Sequence, residues 1–215
     1  MPFTPQSGVP GESSAAPLLA VRRLRSRFGG PFDFELQAGE CVAIQGPSGA
    51  GKSVLLRMLA DLDPHEGEAF LDGRSNKAMP APAWRAQVVY QPAEPAWWEA
   101  TGGAHFTDAQ RSFVDRILGR LGLSTALLDT EVERLSTGER QRLALVRSLA
   151  AEPRVLLLDE PTAALDPDSV KRAETLLASC LADGMAIVIV THSADQAQRL
   201  AQRIFHLDQG RLTTA

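Results

Sequence analysis

The stretch from Glu40 to Ser53, ECVAIQGPSGAGKS, constrains this chain more than any other. A short apolar run stops at Gly46, and a helix-forming run, KSVLLRMLADL, starts at Lys52. Between them Gly46, Pro47, Ser48, Gly49, Ala50, Gly51, Lys52 and Ser53 fit the spacing G-x-x-x-x-G-K-[ST], with a strand before and a helix after. The glycines let backbone N–H groups crowd round phosphates, and the helix start adds partial positive charge. Lys52 is placed to reach β- and γ-phosphates, and the Ser53 hydroxyl to ligate Mg²⁺. A plain packing turn needs no Lys-Ser pair after its last glycine. Lysine is also scarce here: the chain has 19 arginines and three lysines.

A second segment supplies the matching acids. VLLLDEP, residues 155–161, is an apolar strand ending in two adjacent carboxylates. Ligands of parallel sheets bind at such strand ends. Asp159 is expected to hold Mg²⁺ through water, and Glu160 to polarise a water beside the γ-phosphate.

Neither VLLL nor AIVIV (186–190) alternates, which is how strands buried on both faces read. The core is therefore expected to be α/β with a mainly parallel sheet. LLAVRRLR (18–25), alternating FDFELQ (32–37) and EGEAFLDG (66–73), which ends in an Asp-Gly turn, read as an antiparallel β-subdomain. AQVVYQ (86–91) and IFHLDQG (204–210) read as further strands. From about Pro92 to Glu133 the pattern turns helical, best in TDAQRSFVDRILGRLGL (107–123). Further helices are expected near 168–183 and 194–202. Residues 1–17, rich in Pro, Gly and Ser, read as a disordered tail ahead of one domain, 18–215. Its core spans 18–91 and 152–215, with a helical subdomain at about 92–151.

The 215 residues suit such a domain, and a net charge of −4 lacks the basic footprint of a nucleic-acid binder. Cys41 and Cys180 have neither metal nor disulfide spacing. No signal peptide is visible, and no apolar run nears the roughly 20 residues that span a bilayer. The chain is expected to be soluble, with any membrane role carried by another chain.

Six motifs in order now resemble the ATP-binding cassette (ABC) ATPase family over about residues 18–213. They are Walker A at 46–53, Gln91, LSTGE at 135–139, Walker B at 155–160, Ala164-Leu165-Asp166, and His192. The resemblance implies a P-loop NTPase (RecA-like) core, ATP with Mg²⁺, and hydrolysis. It implies two copies facing head to tail, with ATP between the Walker A motif of one and Ser136 and Gly138 of the other. Gln91 would touch Mg²⁺ or the attacking water, His192 the γ-phosphate, and Asp166 the other copy. Phe28 is the candidate for stacking on adenine, with a core phenylalanine as the other reading. The partner would be a transmembrane permease subunit, which holds the ATPase at the inner face of the cell membrane. Trp97 and Trp98, after Gln91, suit either that contact or packing within the helical subdomain.

The compact chain resembles the ATPases of two-component exporters, including those for iron or other metals. A cassette acting as a scaffold for iron–sulfur assembly is the alternative. Two departures stand out. The family's usual signature is LSGGQ; here Thr137 and Glu139 replace a glycine and the glutamine. Ser136 and Glu139 have capping-box spacing, so Glu139 is expected to cap the helix. Thr137 costs little if its φ is negative. Val54 stands where the family usually has a hydroxyl, which implies one lost bond to the α-phosphate.

Overall fold

The computed structural model describes residues 16–214. The tail expected over residues 1–17 therefore lies almost wholly outside the described residues.

Six strands build the central sheet. They are β3 (Cys41–Gln45), β6 (Val88–Gln91), β7 (Val155–Asp159), β8 (Ala186–Val190), β9 (Arg203–Asp208) and β10 (Arg211–Thr214), in the order β10-β9-β3-β8-β7-β6. Every pairing is parallel except the β9–β10 hairpin. A second, antiparallel sheet has the order β2-β1-β4-β5, from β1 (Leu19–Ser26), β2 (Gly29–Leu36), β4 (Glu66–Leu71) and β5 (Arg74–Ser75). The Asp-Gly turn joins β4 to β5. Asp72 and Gly73 have φ of 47° and 75°, as a tight hairpin with the strands' own twist requires.

The apolar strands lack sequence alternation because both faces bury apolar side chains. Val42, Ile44, Val155, Leu157, Val188 and Val190 enter one core with the antiparallel sheet and α1 (Lys52–Leu59). Cys41, Ala43, Leu156, Leu158, Ile187 and Ile189 enter the other. That core also takes α3 (Arg111–Arg120), α4 (Thr137–Ala150) and α5 (Pro167–Ala182). Each buried valine, leucine or isoleucine among them contributes about 1.5–3 kcal/mol by leaving water.

The middle of the chain departs from expectation. Between Pro92 and Glu133 the described residues hold one α-helix, α3, and otherwise short 3-10 turns. Pro92, Pro95, Gly102 and Gly103 interrupt the amide ladder or weaken helix before it. The helix expected over 107–123 is shortened at both ends: Thr107 and Gln110 form a capping box round a 3-10 turn, and Gly122, at φ 67°, ends the helix. The short α2 (Ala81–Arg85) and strand β10 have no counterpart in the sequence reading. Pro80 and Pro82 start α2, where missing N–H groups cost nothing, and buried Trp84 donates its indole N–H to the Leu59 carbonyl at 2.9 Å.

Candidate functional site

Strand order sets the site. β3, β8, β7 and β6 lie side by side and parallel, so their C-terminal ends form one edge. The glycine loop follows β3, His192 follows β8, Asp159 ends β7 with Glu160 next to it, and Gln91 ends β6. Four segments far apart in sequence thus present their polar residues in one row.

The loop needs its glycines. A Cβ on Gly46, at φ 148°, would lie 2.1 Å from the Leu207 carbonyl oxygen of β9. Gly51 begins α1 at φ 97° with no side-chain cap, so the first amides of the helix have no side-chain acceptor from their cap. Lys52 is buried and donates to the carbonyls of Gly46 and Pro47 at 2.8 and 2.9 Å. Its ammonium therefore lies against the loop that an anion would enter.

Asp159 is buried and accepts from the Tyr90 hydroxyl at 3.1 Å. Glu160 adopts φ 48°, uncommon for a side chain of this size and a recurrent sign of functional strain. Its amide donates to the Val190 carbonyl at 2.9 Å, and its own carbonyl accepts from Gln141 Nε2 at 2.8 Å. Glu160 Oε1 is buried with no hydrogen-bond partner, although His192 Nε2 stands 3.3 Å away. The ring is near enough for attraction but not aligned to bond. Burial is the main cause that raises the Glu160 pKa, against the opposing pull of His192. Gln91 is 1% exposed, yet neither its amide oxygen nor its nitrogen has a partner. Buried amides are almost always bonded, so two orphaned atoms at a strand end mark a place for polar ligand atoms.

At the start of α4 the capping box is complete. Ser136 N and Oγ donate to Glu139 Oε2 at 2.9 and 2.7 Å, and Glu139 N donates back to Ser136 Oγ at 3.2 Å. These bonds hold the Glu139 carboxyl below the usual glutamate range. Thr137 is the first residue of α4, and no positive φ is found there, so its side chain is tolerated. Gly138 sits close to the segment before α5: a Cβ on it would lie 3.4 Å from the Ala164 carbonyl. Asp166 caps α5 by accepting from Ser169 N at 3.0 Å, which lowers its pKa. Ser193 caps α6 (Ala194–Leu200) by accepting from Gln196 N at 3.2 Å, while the Gln196 side chain bonds Thr162 and Glu174.

Phe28 is not a core residue. It is 55% exposed, carries the Arg27 guanidinium 4.7 Å from its ring centroid, and lines a 960 Å³ cleft with Val54, His65 and Asp63. The tryptophans divide. Trp97 packs against the second core, while Trp98 is 68% exposed. Arg147 stacks over both rings at 4.4 and 4.6 Å, and His105 meets both edge-on. Sequence reasoning missed Gln141 and Tyr90. Gln141 reads as an ordinary helix residue and Tyr90 as an ordinary strand aromatic; only the tertiary contacts mark them.

Hard oxygen donors from Ser53, Asp159 and Gln91 fit Mg²⁺, which is usually held by one or two carboxylates together with substrate phosphates and waters. The orphaned Gln91 oxygen is the observation that favours this fit.

Residues 30–163 match the family described as ABC transporter. The chain is 37% identical over 206 residues to an aliphatic sulfonates import ATP-binding protein of Paracoccus denitrificans, covering 89% of this chain and 78% of the relative. It is 34% identical over 192 residues to the thiamine import ATP-binding protein of Escherichia coli, covering 84% and 82%. Among solved structures it superposes with a TM-score of 0.80 on a dimeric ATP-binding cassette in a post-hydrolysis state bound to ADP and Pi. Identity there is 23%, covering 91% of this chain and 98% of that one.

Proposed function

Because this chain belongs to the ABC transporter family, we propose that it is the ATP-binding and ATP-hydrolysing subunit of a transporter, and that the row of strand ends is where hydrolysis occurs. The observation that carries this reading is the pairing of a phosphate-type loop with two buried, unsatisfied groups, Gln91 and Glu160 Oε1, along one sheet edge.

Each residue has a task that its surroundings suit. The amides of 46–53 and Lys52 hold the phosphates. Ser53, Asp159 and Gln91 would hold Mg²⁺, which would supply charge neutralisation at the phosphates and polarisation of the phosphoryl group. Glu160 accepts the proton of the attacking water; its raised pKa makes it a better base than a free carboxylate. His192, exposed beside Glu160, contacts the γ-phosphate. Phe28 stacks on adenine in the cleft shared with Val54.

The signature start, Ser136 to Gly138, acts on ATP held by a second copy of the chain, and Asp166 contacts that copy. A separate permease subunit docks near the exposed Trp98 and holds the ATPase at the cytoplasmic face of the membrane. No described helix is long and apolar enough to cross a membrane. The named relatives serve import, of sulfonates and of thiamine. Import is therefore the favoured direction, where the sequence alone indicates none beyond a resemblance to compact exporter ATPases. None of these relatives favours the iron–sulfur scaffold.

The test is ATP hydrolysis by the purified chain together with its permease. Turnover no greater than that of Glu160→Gln would overturn the reading.

A further inference from the structure

Tyr90 is absent from the six motifs, yet it makes a direct contact within the site. β6 pairs with β7 so that Tyr90 lies opposite Leu157. Asp159 is two residues further on, on the same face of the sheet as Leu157, since strand side chains alternate. The diagonal neighbour of a cross-strand pair is within reach of a long aromatic side chain. The Tyr90 hydroxyl uses that reach and donates to Asp159 Oδ2 at 3.1 Å. Gln91, one residue along, lies opposite Leu158 and faces the other way. One strand end thus supplies the orphaned amide on one face and an anchor for the metal carboxylate on the other.

We propose that Tyr90 is a positioning residue for Mg²⁺ binding: its hydroxyl ties down Asp159 Oδ2 and thereby fixes the carboxylate that would serve the metal. Among the described residues this is the single side-chain hydrogen bond to the Asp159 carboxylate. Asp159 is buried at the strand end, so its carboxylate would otherwise lack a protein donor to select its rotamer. A phenol is protonated at neutral pH and donates, leaving the carboxylate its charge. Fixing a metal ligand through a second hydrogen bond is a general means of tuning metal affinity. This inference rests on the reading that Asp159 serves Mg²⁺.

The experiment measures affinity for a fluorescent ATP analogue across an Mg²⁺ titration. It uses the full chain in a Glu160→Gln background, so that nucleotide is not consumed. Tyr90→Phe keeps the ring and its packing and removes the hydroxyl. It is expected to raise the Mg²⁺ midpoint by about tenfold while leaving affinity in EDTA unchanged. A midpoint within about twofold of the parent overturns the role of Tyr90. Equal weakening with and without Mg²⁺, together with a lower Tm, also overturns it, by showing a merely structural role. Asp159→Asn runs alongside. If it leaves the midpoint unmoved, the underlying reading of Asp159 has failed instead. Tyr90→Met, which also lacks the hydroxyl, replaces the phenylalanine variant if that variant does not fold.

Discussion

Glu160 and His192 meet across the ends of two neighbouring parallel strands, with the His192 amide 3.4 Å from Glu160 Oε2 and the imidazole Nε2 3.3 Å from Oε1. The contact exists because β7 and β8 are adjacent and in register, Asp159 opposite Val190. It leaves Oε1 buried, with no hydrogen-bond partner among the described residues.

Glu160→Gln should lower turnover by about 10²–10⁴-fold, the usual contribution of a positioned base. The pH dependence follows from sign. Burial raises the Glu160 pKa, so the ionised base is lost on acidification at a higher pH than for a free glutamate. The same shift means that ionised Glu160 opposes folding. That penalty is absent below the unfolded pKa and grows as pH rises to the folded pKa. Glu160→Gln should therefore raise Tm at neutral pH, and the gain should vanish in acid. Thermal unfolding of both proteins across pH checks this.

Val54→Thr restores the family's usual hydroxyl in the cleft lined by Phe28. A regained bond to a phosphate is worth about 1.5–3 kcal/mol, so ATP affinity should tighten by about tenfold or more. Equilibrium binding measures it, and unchanged affinity would mean that the α-phosphate is bonded elsewhere.

Glu139→Ala removes the return bonds to Ser136 and should destabilise the protein by about 0.5–2 kcal/mol. Glu139→Gln, which can make the same bond to the Ser136 amide, should fall well short of that loss. Because the Glu139 pKa is lowered, its contribution is present above the unfolded pKa and is lost as pH falls through the folded one. Denaturant melts of the two variants at neutral pH and in acid separate these effects.

Trp98→Ala and Trp97→Ala should differ. Trp98 is mostly exposed, so its loss should weaken capture of the permease with little change in Tm. Trp97 packs against the second core and under Arg147, so its loss should cost about 1 kcal/mol or more of stability. If Trp98→Ala leaves the complex intact in co-purification, docking lies elsewhere.

Much of the site was legible because its chemistry depends on short local patterns. A phosphate loop needs consecutive residues, so Gly46 to Ser53 declare it directly. Ser136 and Glu139, and Asp166 before Pro167, announce caps because a helix start is satisfied within four residues. The buried parallel strands were legible because two buried faces leave no alternation. From Pro92 to Phe106 no α-helix forms, because the prolines and glycines there outweigh the apolar spacing around them. Whether Thr137 is strained, whether Phe28 is core or surface, and how Trp97 and Trp98 divide depended on backbone angles and neighbours that no local pattern encodes. The sequence by itself determined the fold class and the chemistry, since strand, loop and helix signals are local. Tertiary structure alone decided that Gln91, Asp159, Glu160 and His192 share one edge, and that Tyr90 reaches Asp159. Strand order and register are properties of the sheet, set by long-range pairing between segments that sequence leaves far apart.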